Sequence, residues 1–162
     1  MKRIAAFLVL MCSFSVGSHA QATSAELMTN AEYKAVLLQV EAALPKWETA
    51  LKSINPEKDE RISYSLGKSI VDKRDLGVME VANIRVFIAK EQIKHTVYGE
   101  LALYQFLEGL YNMMSDVVEQ EVIAGVTLSS LEENGPELSA LERRVGNDAM
   151  ARVSQLEKGT CP

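Results

Sequence analysis

Apolar positions recur along most of this chain every three or four residues, the period of one face of an α-helix, and they are densest beyond the N-terminus between Val97 and Ala124. There Val97, Leu101, Leu103, Tyr104, Leu107, Leu110, Tyr111, Met114, Val117, Val118 and Val122 fall on one side, with Gln105, Asn112, Asp116 and Gln120 on the other. A stripe about half the circumference wide needs more than one packing neighbour. The pattern therefore predicts a central helix flanked on two sides.

Upstream, Thr29 and Glu32 have the spacing of a capping box, and Tyr33, Leu37, Val40, Leu44, Trp47, Leu51 and Ile54 follow in alternating steps of four and three. That is a heptad seam. Pro45 projects from its polar side and leaves the phase intact, so one kinked helix from about 30 to 54 is expected, the alternative being a break at the proline. Asn55-Pro56-Glu57 then opens a second helix, thinly striped by Ile62, Leu66 and Ile70, that runs to about Arg74. Asp72-Lys73-Arg74-Asp75-Leu76-Gly77 reads as a turn, followed by a third helix from about Val78 to His95.

Gly125 closes the central helix, and Ser130 to Glu133 has room for one helical turn. Asn134-Gly135-Pro136-Glu137 restarts a last helix with Leu138, Leu141, Val145, Ala149, Arg152 and Leu156 on its inner face, ended by Gly159. No segment shows strand alternation with turn chemistry, and there is no internal repeat. The fold class predicted is all-α, an up-and-down bundle of four to five helices.

The N-terminus changes what the mature chain contains. Lys2 and Arg3, an apolar segment from Ile4 to Val16 and the small-residue ending Gly17-Ser18-His19-Ala20 follow the order of a secretory signal peptide, with cleavage expected after Ala20. Cys12 lacks the small preceding residue that lipidation needs. The expected organisation is a signal peptide over 1–20, a flexible mature N-terminus over 21–28, a helical bundle domain over 29–158 and a C-terminal tail over 159–162. Localisation is then periplasmic or extracellular, with no membrane span in the mature chain.

Loss of Lys2 and Arg3 leaves 15 basic against 22 acidic residues, a net charge of −7. Such a surface repels nucleic-acid phosphates, and no basic cluster with interleaved aromatics offsets it. Loss of Cys12 and His19 leaves one cysteine, Cys161, and one histidine, His95. No intramolecular disulfide is then available, so the fold rests on its core.

Few residue groups suggest chemistry. Arg85, Glu91, Gln92 and His95 lie within one stretch of the third helix, and Glu91 and His95 stand one turn apart, a spacing suited to an acid and base pair or to binding an anion. An ordinary ion pair at a helix end uses the same spacing. A single histidine cannot build a di-iron site, which takes Glu-x-x-His on two helices, and no Cys-x-x-Cys-His attaches haem. Gly67-Lys68-Ser69 lacks the earlier glycine of a phosphate loop, Ile62 standing in its place. Tyr104, Tyr111, Met113 and Met114 could line a pocket, but aromatics and methionines at helical spacing are more often core. No cofactor or metal is expected. The functional expectation is an exported, non-catalytic binding or interaction protein with a protein or small-molecule partner. The alternative is a small exported enzyme with a charged inter-helix pocket for an anionic metabolite.

Overall fold

The computed structural model describes residues 27–91 and 95–159. The expected signal peptide and cleavage site, Gln92 and Cys161 lie outside the described residues. Four helices are packed against each other: α1 (Asn30–Ser53), α2 (Tyr64–Glu91), α3 (Val97–Ala124) and α4 (Leu131–Glu157), with a short 3-10 turn at Pro56–Lys58. Each packs on its neighbours in the chain, and α1 also meets α4. No strand occurs among the described residues. None of their helices is long and apolar enough to cross a membrane.

The start of α1 follows from its capping box. Thr29 Oγ1 accepts the Glu32 N–H at 3.3 Å and the Glu32 carboxylate accepts the Thr29 N–H at 2.8 Å. Two orphan donors are satisfied by this exchange. Every residue of the expected seam from Tyr33 to Ile54 is buried. The helix passes through the exposed Pro45 without a break.

The expected turn at Asp72 to Gly77 is absent, and α2 is one helix in place of two. The polar residues that resemble a turn are engaged by neighbouring elements. Lys73 pairs with Asp116 of α3 at 2.5 Å, and Arg74 donates to the Ile54 carbonyl just beyond α1 at 3.1 Å. Gly77 is buried where α1 and α2 approach, since a Cβ there would stand 2.9 Å from Leu51 Cδ2. The glycine marks a close contact.

α3 has the bounds read from its apolar run. Thr96 Oγ1 accepts the Gly99 N–H at 2.9 Å at its start, and Gly125 ends it in the left-handed conformation, φ 66°. Glycine is the usual residue for such a cap. The buried seam of α3 is narrower than expected, with Leu103, Leu107, Leu110, Met114 and Val117 at its centre. The same steps of three and four lead to Glu100 at one end and Glu121 at the other, both buried, whereas Val122 is 71 % exposed.

α4 begins at Leu131 and continues through Pro136, so the expected restart at Asn134 does not occur. Leu131 is buried, and from it Asn134, Leu138, Leu141, Val145 and Asp148 continue one seam in steps of three and four. The seam fixes the start of the helix better than the proline does.

Candidate functional site

At one end of the bundle the start of α1, the α2–α3 connection, the start of α3 and the last turns of α4 bring polar groups into the interior. The Glu100 side chain is fully buried. His95, in the connection, stacks on Tyr33 with ring centroids 4.2 Å apart and planes 16° from parallel. Its Nδ1 is 2.7 Å from Asn30 Oδ1, and its Nε2 is hydrogen-bonded to Glu100 Oε1. From α4, Arg152 Nε lies 3.1 Å from Glu100 Oε1, 3.0 Å from Oε2 and 2.8 Å from Asp148 Oδ2.

Two further bonds fasten the chain ahead of α1. The Met28 N–H donates to Asp148 Oδ1 at 2.6 Å, and the Met28 carbonyl accepts from Arg152 Nη2. The chain is thus held to α4 by both polar groups of one peptide residue.

Burial sets the protonation of this group. Glu100 is pushed up to about 8, first by burial and then by the neighbouring Asp148 carboxylate, against the opposing pull of Arg152. Burial also acts to raise Asp148, but the Met28 N–H, Arg152 and Glu100 outweigh it and hold the carboxyl below its ordinary value. His95 is lowered by burial and then by Arg152. Near neutral pH the group therefore holds one ion pair, Asp148 with Arg152, beside a neutral carboxylic acid and a neutral imidazole. An imidazole donating from Nδ1 to Asn30 leaves Nε2 to accept the Glu100 proton. The His95–Glu100 contact is then a neutral hydrogen bond.

Two atoms remain without a hydrogen bond. The buried Tyr33 hydroxyl has no partner, and Glu100 Oε2 has only the nearby Arg152 charge. Burial, and then the charges of Glu91 and Glu100, raise Tyr33 above its ordinary value. Among the described residues, no three His, Cys, Asp or Glu side chains are placed to hold a metal ion.

Of the residues singled out by sequence, the three described make different contacts. Arg85 is half-exposed and pairs with Glu48 of α1 at 2.7 Å. Glu91 accepts from Thr96 Oγ1 at 3.3 Å and lies against Gly99, where a Cβ would clash with its Oε1. Of the described candidates, His95 is the one that joins the group of Glu100, Asp148 and Arg152. Sequence reading missed Glu100 and Asp148 as interior residues, although extending the seams of α3 and α4 by one step reaches both.

Two surface features stand apart from this cluster. Tyr111, Met114, Val118, Leu131, Pro136 and Arg143 contribute to an open groove of about 340 Å³ between α3 and α4. On α2, the side opposite the core carries exposed Leu76, Met79 and Val86. Protein-family models, curated proteins and solved structures offer no match to the chain.

Proposed function

We propose that the chain is an exported, up-and-down helical bundle that acts as a non-catalytic interaction module in the periplasm or outside the cell, and that it binds through its outer surface. The observation that carries this reading is the outward side of α2. Leu76, Met79 and Val86 are 43 %, 55 % and 54 % exposed, and their spacing of three and then seven residues puts them on one stripe. A helix face with no partner is normally polar. The buried polar cluster at the bundle end, by contrast, consists mainly of groups that satisfy one another.

A second reading, a small exported enzyme acting on an anionic metabolite, draws on one observation. The unpartnered Tyr33 hydroxyl belongs to the ring stacked on His95, beside a carboxyl whose pKa is raised to about 8. Strongly perturbed groups of this kind collect at functional sites as well as in structural networks.

Native mass spectrometry of the protein recovered from its own periplasm or medium separates the two readings. A mature mass beginning at Gln21, with a bound protein chain that Met79→Glu releases, supports the interaction module. A bound small anion that Arg152→Met releases supports the enzyme. Full-length protein confined to the cytoplasm overturns the export on which both rest.

A further inference from the structure

The outer stripe of α2 has a spacing that reads the same from both ends. In steps of four and three it runs Asp72, Leu76, Met79, Asn83, Val86, Lys90, and all six residues are exposed. These are the alternating seam positions of a two-helix coiled coil, yet they lie on the face turned away from the core residues Ile70, Val81, Ile84 and Ile88. The intramolecular seam is already filled. The second seam has no partner within the described chain.

We propose that this face docks on the same face of a second copy in antiparallel register, with Asp72 opposite Lys90, Leu76 opposite Val86 and Met79 opposite Asn83. The proposal rests on the interaction reading above and names its partner. Each pairing then occurs twice about a two-fold axis level with Val81, as an isologous interface requires. The ends carry opposite charges, so the antiparallel arrangement sets two acid–base pairs outside two Leu–Val layers, with two Met–Asn layers at the centre. A parallel arrangement would set Asp72 on Asp72, Lys90 on Lys90 and Asn83 on Asn83. Like charges facing across paired elements are unfavourable.

The flanks of the stripe suit this approach. On one side Ala82 and Ala89 are small and exposed, which lets two backbones come close. On the other, Lys73 is bound to Asp116, Glu80 accepts from Asn83 and lies 3.5 Å from where a Cβ on Gly109 of α3 would stand, and Phe87 packs on Phe106 with centroids 5.5 Å apart. Those side chains belong to the contact with α3. One helix pair makes a small interface, so micromolar affinity is expected.

Sedimentation velocity over a concentration series tests the pairing. The purified protein is expected to shift from monomer to dimer by about 100 µM. Asp72→Lys and Lys90→Asp should each raise the dissociation constant about tenfold, because each places two like-charge contacts in one interface. The double swap Asp72→Lys/Lys90→Asp should bring it back close to the starting value. Asn83→Leu should tighten the dimer, an outcome that unfolding cannot imitate, since it removes a polar group from two layers. Urea midpoints of all four variants check that the fold is intact. A protein that stays monomeric throughout, or a double swap that remains as weak as its parents, would overturn the pairing. A monomer that nevertheless loses a different bound chain on Met79→Glu refutes the second copy and leaves the interaction reading standing. A monomer with no complex dependent on this face removes both.

Discussion

Glu100 and Glu121 stand three heptads apart on α3, each continuing the seam that Leu103, Leu107, Leu110, Met114 and Val117 define, and each is buried. Burial raises the pKa of both. Their surroundings differ in reach. Glu121 accepts from the Ser129 hydroxyl at 3.1 Å, eight residues along the chain, and its other oxygen has no hydrogen bond. Glu100 belongs to a group that includes Asn30, His95, Asp148 and Arg152, where the bond from Met28 to Asp148 joins residues 120 positions apart. One carboxyl closes a local connection, whereas the other lies in a knot that ties the two ends of the described chain together. Raised pKa values alone do not distinguish these roles. The cation does.

Arg152 should therefore give the largest effect. It faces Glu100, neutralises Asp148 and donates to the Met28 carbonyl, so Arg152→Met leaves the buried Asp148 carboxylate without its counter-charge, held by the Met28 N–H, and the Met28 carbonyl without its donor. Loss of one member of a buried pair costs roughly 3 to 5 kcal/mol. The lower figure is expected, because the Arg152 side chain is 20 % exposed. Urea denaturation at pH 7 measures the change. A loss no larger than that of an exposed substitution would mean that the knot contributes little.

The next effect is a slope with pH. Glu100 binds its proton more tightly in the fold than in the unfolded chain, so its contribution is fully present below about 4.5 and is lost as pH rises toward about 8. His95 acts in the opposite sense. Its pKa is lowered from 6.5, so stability is lost as pH falls below that value, and above it the imidazole is neutral in both states. Between pH 6.5 and 8 the decline belongs to raised carboxyls. The urea midpoint should fall across that window in the wild type and fall much less in Glu100→Gln. Parallel curves for the two proteins would show that Glu100 is ionised there.

Much of the fold was legible in the sequence because it rests on periodicity. The capping box at Thr29, the seam of α1 through Pro45 and the bounds of α3 all follow from local pattern. The misread elements share one cause, which is that a local signal had a tertiary use. Gly77 looks like a turn residue, yet it is needed because Leu51 packs where a Cβ would stand. Pro136 looks like a fresh start, but Leu131 was already the first inward residue of the same helix. The candidate site was less legible for a related reason. Arg85, Glu91, Gln92 and His95 were grouped by nearness along one helix, whereas the interior group draws on four segments, and the two carboxyls it buries occupy seam positions where an apolar residue is the usual occupant. Tracing each heptad one step past its last apolar residue exposes Glu100, Glu121 and Asp148 together.

The smallest effect, and the sharpest contrast between the two ends of α3, comes from Glu121→Gln. The amide keeps an acceptor for the Ser129 hydroxyl and removes a group that burial drives toward its neutral form. Below the ordinary carboxyl range the substitution should therefore change stability by no more than about 0.5 kcal/mol. As pH rises through that range the wild type gives up part of its stability, since its folded carboxyl holds a proton that the unfolded chain has released, whereas glutamine has nothing to release. The variant should accordingly become the more stable of the two above neutral pH. Ser129→Ala removes the hydroxyl donor that favours the ionised form and should cost about 1 kcal/mol. Neither change touches the knot, so both should leave the effect of Arg152→Met unaltered when combined with it, as expected for sites that share no partner. A non-additive result in urea would show that the two ends of α3 are coupled through the helix, and would remove the distinction between a local closure and a long-range tie.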